Sequence, residues 1–81
     1  MTINVRLSVG LARLVGNPHL WVTLAEGATV ADLFDHLRTE HPTLQKKLEI
    51  AVPVVSGRHA THSQALANGQ QVAILIPIAG G

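Results

Sequence analysis

The run Val72-Ala73-Ile74-Leu75-Ile76, followed at once by Pro77, sets the strongest limit on what this chain can fold into. It is apolar at every position, so it reads as a central strand covered on both sides rather than a half-exposed one, and proline cannot carry a ladder further. After it come Ile78-Ala79-Gly80-Gly81, which have no turn signal and no side chain on the last two residues and so predict a flexible tail. From Pro77 that tail reaches roughly 17 Å at full extension. With 81 residues, 47% of them hydrophobic, the chain has apolar material for one core and no room for a second domain.

Upstream, Ile3, Val5, Leu7 and Val9 alternate with Thr2, Asn4, Arg6 and Ser8, the period-two pattern of a strand with one buried face, which Gly10 is expected to end. Leu11, Leu14 and Val15 fall at i, i+3 and i+4 ahead of Gly16 and predict a short helical turn closed by that glycine. A second strand from about His19 to Ala25 buries Leu20, Val22 and Leu24 and turns Trp21 away from the core. The indole is expected under a loop or against the Leu11 to Val15 turn, with a binding anchor as the competing use. Thr29, with Asp32 three residues on, is the N-cap of an amphipathic helix carrying Val30, Leu33, Phe34 and Leu37, bounded by Pro42.

Leu44 and Leu48 allow another helical turn, and Ile50 to Val55 reads as a strand that Pro53 places at an edge or a bulge. Ser56-Gly57 makes a turn, Arg58 to Gln64 can hold a short strand, and Asn68-Gly69 is a second turn signal. The order strand, strand, helix, strand, strand describes an α+β domain with one main helix on one face of a mixed sheet.

The chain has no cysteine, hence no disulfide framework, thiolate metal site or cysteine nucleophile, and any sulfur it handles must be brought to it. Six basic and five acidic residues give a net charge of +1, without the basic stripe that nucleic-acid binding requires. The start, Met1 to Arg6, lacks a basic segment leading into a long apolar one. The longest apolar run, Val72 to Ala79, falls far short of the roughly 20 residues of a membrane helix, so a soluble cytoplasmic protein is expected. His59 and His62 stand three apart but have no cysteine or nearby acid to complete a zinc set, and His36 and His41 do not share a helix face. Ser63 has no acid in a triad relation to it, and Arg6, Arg13 and Arg58 read as solvated charges. A free-standing enzyme is therefore not expected.

Four segments keep a telling order and spacing: Leu11-Ala12-Arg13-Leu14-Val15-Gly16 after the opening strand, Glu26-Gly27-Ala28-Thr29-Val30-Ala31-Asp32-Leu33 at the helix entry, Asn68-Gly69-Gln70-Gln71-Val72, and Ile76-Pro77-Ile78-Ala79-Gly80-Gly81. Together they resemble the MoaD/ThiS family of ubiquitin-like sulfur carriers, and within it the small subunits of molybdopterin synthase. The resemblance implies a ubiquitin-like β-grasp domain over residues 1–76 and a diglycine tail over 77–81. Ser56-Gly57 replaces a common Asn-Gly turn, Asn68-Gly69-Gln70-Gln71 lacks the acids usual there, and Ile76 replaces the first of two prolines.

The resemblance also implies a chemistry. The Gly81 carboxylate would be adenylated by a ubiquitin-activating-type enzyme that uses ATP, and a sulfur donor would displace AMP to leave a thiocarboxylate. The carrier itself would bind no cofactor. The sulfur would pass to a pterin precursor in the large subunit of molybdopterin synthase, with Gly80 and Gly81 slim enough to thread both sites. Leu7, Leu75 and Ile78 occupy positions of the family's apolar docking surface. Related uses of the same end are sulfur supply for thiazole (thiamine) synthesis or tRNA thiolation, and attachment to target lysines as a ubiquitin-like modifier.

Overall fold

The computed structural model describes residues 1–77. The elements are β1 (Thr2–Leu7), α1 (Val9–Val15), β2 (His19–Thr23), α2 (Val30–Glu40), a 3-10 turn (Pro42–Leu44), α3 (Gln45–Leu48), β3 (Val52–Val55), β4 (Arg58–His59) and β5 (Gln71–Leu75). They form a five-stranded sheet in the order β2-β1-β5-β3-β4. The β1 and β5 strands run parallel and the other neighbours antiparallel, so the sheet is mixed, as expected.

The main helix begins where the sequence places it. Thr29 Oγ1 accepts a hydrogen bond from the Asp32 N–H at 3.3 Å, and Asp32 Oδ2 accepts from the Thr29 N–H at 2.8 Å. This reciprocal box satisfies two donors that a helix start leaves orphaned. Val30, Leu33, Phe34 and Leu37 are all fully buried, and they share one core with Ile3, Val5, Leu7, Val22, Val72 and Ile74 from the sheet. The loop before β5 adds to the helix start: Gln64 and His62 carbonyls accept from the Val30 and Ala31 N–H groups at 3.0 and 2.9 Å.

Several expectations need correction. The first strand stops at Leu7, before Val9 and Gly10, because the Ser8 carbonyl already accepts from the Leu11 and Ala12 N–H groups at 3.0 and 2.8 Å. Val9 thus opens α1 and is 68% exposed, while Gly16, at φ 88°, closes that helix as predicted. Pro53 does not mark an edge. The edge is β4, and the Pro53 carbonyl accepts from the Ala60 N–H at 2.9 Å on that side. Since N and O of an extended residue leave on the same side, the missing N–H of Pro53 faces the point where β4 has ended.

The last strand is the middle strand of the sheet, as its apolar run predicts, but the described residues cover one of its faces only. Val72 and Ile74 are fully buried, whereas Leu75 is 41% exposed and Ala73 half-buried. Ile78, Ala79, Gly80 and Gly81, which carry the tail prediction, lie outside the described residues.

Candidate functional site

The face of the sheet that no described element covers is where the chain has side chains to spare. Strand alternation puts Ile3, Val5, Leu7, Val72 and Ile74 inward, so the residues between them face out. The register aligns the outward ones into rows: His19, Arg6, Ala73, Val54 and His59 in one, Trp21, Asn4 and Gln71 in another, Leu75 and Val52 in a third. No strand contains Asp or Glu, while β1 and β4 supply Arg6 and Arg58. The face is therefore apolar along β5 and β3, flanked by cationic and imidazole groups, and its strands contribute no Asp or Glu.

Two shallow grooves cross this face and share Arg6 and Ala73. One, of about 340 Å³, runs to Val54 and the Ser56-Gly57 turn. The other, of about 380 Å³, passes Leu7, Ser8, Val9 and Leu75 at the end of β5, where the chain leaves towards Pro77. Ser8 Oγ, buried and without a hydrogen-bond partner among the described residues, lies beside this second groove. Val9, Leu75 and, from the loop before β3, Ile50 are exposed large apolar residues of the molecule. The register places Val52 opposite Leu75 and so brings the chain around Ile50 to the end of β5 that leads to Pro77.

Of the residues assigned to docking, Leu75 stands on this face. Leu7 does not: paired with Ile74, it points to the covered side and is 4% exposed. The reason is parity, since Leu7 shares the alternation of Ile3 and Val5, whereas Leu75 alternates with Val72 and Ile74. Val9 takes the exposed place beside Leu75, a residue the strand pattern had assigned to β1. Ile78, Gly80 and Gly81 lie outside the described residues. Trp21 faces outward as predicted, but no described element covers it, and 71% of its surface is exposed.

His59 and His62 are both exposed. The His62 ring packs edge to face with Phe34, with ring centroids 4.8 Å apart at 65°. Among the described residues, no group of three or more His, Cys, Asp or Glu side chains is placed to hold a metal ion, and no helix is long and apolar enough to cross a membrane.

Residues 7–81 match the ThiS family. Among curated proteins, none matches the chain by sequence. Among solved structures, SAMP1 from Haloferax volcanii, small archaeal modifier protein 1, is 26% identical with a TM-score of 0.89, each chain covered over 100% of its length. A putative molybdopterin converting factor, subunit 1, from Pyrococcus furiosus is 21% identical over 96% of this chain and 99% of its own, with a TM-score of 0.87. A complex of subunits 1 and 2 of molybdopterin-converting factor from Helicobacter pylori contributes a chain 16% identical, matched over 100% of both chains, with a TM-score of 0.72. The last two likenesses are of fold alone, and that fold is the ubiquitin-like β-grasp.

Proposed function

Because the chain belongs to the ThiS family of small ubiquitin-like proteins, we propose that it is a cytoplasmic sulfur carrier of molybdopterin synthesis whose cargo is held at Gly81. The observation that carries this reading is the extent of the family match, which runs through residue 81 and so encloses Gly80-Gly81. The Gly81 carboxylate attacks the α-phosphate of ATP within a ubiquitin-activating-type enzyme, pyrophosphate leaves, and an acyl adenylate forms. A sulfur donor then displaces AMP at the acyl carbon and leaves a thiocarboxylate. Two residues without Cβ atoms suit passage through a narrow channel to a buried nucleotide.

The acceptor in this reading is a pterin precursor held by the large subunit of molybdopterin synthase. The Helicobacter pylori assembly of subunits 1 and 2 supports a two-protein arrangement for this fold. Docking falls to the apolar exit of β5: Leu75, flanked by Val9 and Val52, with Ile78 beyond. Leu7 supports this surface from the core side. The carrier supplies position and the carboxylate, and its partners supply nucleotide binding and catalysis.

Two experiments test this. Purification of the tagged chain from cells making the molybdenum cofactor is expected to retrieve the large synthase subunit. Removal of Gly81 is expected to abolish sulfur loading while leaving thermal unfolding unchanged, and loading by the truncated chain would overturn the assignment. The same diglycine can serve thiazole synthesis or tRNA thiolation with a different acceptor, which the retrieved partner distinguishes.

The likeness to small archaeal modifier protein 1, at 26% identity with full mutual coverage, favours a second reading. Here Gly81 forms an isopeptide bond with target lysines. Adducts of high mass that disappear with Gly81→Ala, in cells where no sulfur-bearing chain is found, would select this reading over the first.

A further inference from the structure

The two edges of the sheet are built differently. The β4 edge is two residues long, carries Arg58, and lies beside the donor-less Pro53, a combination that blunts pairing with another strand. The β2 edge is five residues long and contains no proline, lysine, arginine or carboxylate. At its centre stands Trp21, 71% exposed.

The register fixes which backbone groups of β2 are free to pair. Met1 and Leu24 exchange two hydrogen bonds, at 2.6 and 2.8 Å, and the Leu7 N–H donates to the Pro18 carbonyl at 2.8 Å. Bonded pairs alternate along an antiparallel ladder. The Ile3–Val22 and Val5–Leu20 pairs therefore use the inner groups, and His19, Trp21 and Thr23 turn their N–H and C=O groups outward. The His19 N–H is taken by Asn17 Oδ1 at 2.9 Å. Among the described residues, both outward groups of Trp21 and of Thr23, and the His19 carbonyl, have no partner and remain for another strand.

We propose that β2 pairs antiparallel with β2 of a second copy of this chain, about a two-fold axis through Trp21, joining two sheets into one. The segment is complementary to itself in that register. Trp21 meets Trp21 and exchanges two backbone hydrogen bonds, and each Thr23 N–H donates to the opposing His19 carbonyl. Leu20 lies opposite Val22 on the covered face, and no two like-charged side chains meet. The indoles start from Cα atoms about 5.5 Å apart on the same face, close enough to stack. Isologous pairing consumes both open edges and leaves only the blunted β4 edges, so assembly stops at two. The exit of β5, separated from β2 by β1, stays free in each copy.

Five-residue edges bury less than the roughly 1,200 Å² at which stable interfaces begin, so the association is weak and depends on concentration. The test is sedimentation velocity of the full chain over a roughly hundredfold concentration range reaching the order of 1 mM. The weight-average mass is expected to climb from 8.6 kDa towards twice that value. Emission from Trp21, the one tryptophan, is expected to shift to the blue in parallel. Trp21→Lys, which sets two ammonium groups against each other, and Thr23→Pro, which removes an outward N–H without touching the ladder to β1, are each expected to weaken association at least tenfold while circular dichroism shows the fold retained. A chain that stays at 8.6 kDa throughout overturns the proposal and leaves the edge to a foreign strand. Folded variants that still associate like the parent overturn it in favour of a dimer through another surface.

Discussion

On one face of the sheet Ile3, Val5, Val72 and Ile74 are fully buried under α2 and its neighbours. One residue further along the same strands, Asn4, Arg6, Ala73 and Leu75 stand on a face that no described element covers. The contrast separates two tasks within single strands. The covered residues hold the fold together through burial, and the open ones are free to be selected for contact. Substitutions on the first face should be felt in stability, and on the second in binding.

The sharpest way to break that division is Phe34→Ala. It removes the largest fully buried side chain and is expected to cost about 3–5 kcal/mol, a large fraction of the stability of a domain this small, as urea titration would show. Next, Leu7→Ala is expected to cost about 2–4 kcal/mol, against less than about 1 kcal/mol for the exposed Leu75→Ala. Equal costs, or the reverse order, would mean that the two leucines are not on opposite faces. Under the proposed function, Leu75→Ala should instead weaken retrieval of the large synthase subunit.

Smaller effects are expected where local geometry fixes each face in place. Thr29→Ala opens the capping box that anchors the covering helix and should lower stability by about 1 kcal/mol. Ser56 holds a left-handed φ of 53° beside Gly57 at φ 76° in the turn joining β3 and β4, a conformation that asparagine tolerates better. Ser56→Asn should therefore raise stability, by a few tenths of a kcal/mol, in thermal melts. No change would mean that the turn carries no strain.

The covered face was legible because its signals are local. Thr29 with Asp32 and the spacing of Val30, Leu33, Phe34 and Leu37 define α2 without reference to the rest of the chain. What sequence reading misplaced depends on distant partners. Val9 continues the alternation of β1, but the Ser8 N–H donates to Ile74 across the sheet at 3.0 Å and the chain turns into α1. The apolar run of β5 indicates the middle of a sheet and does not tell which elements reach over each side, so the open face of Ala73 and Leu75 does not follow from it, and only family position sets Leu75 on a docking surface. Parity along β1 separated Leu7 from Leu75, whereas family position had grouped them. The outward turn of Trp21 follows from period two, but its exposure depends on which loops fail to reach it. Gly80 and Gly81 were legible only as sequence, and their reading rests on the family.

Whether Gly81 carries sulfur, as proposed, is tested most directly by intact-mass spectrometry of the chain isolated from cells making the molybdenum cofactor. A fraction in which one oxygen is replaced by sulfur, localised by fragmentation to Gly81, is the predicted result. A chain found only unmodified under those conditions, or modified anywhere other than Gly81, would contradict it.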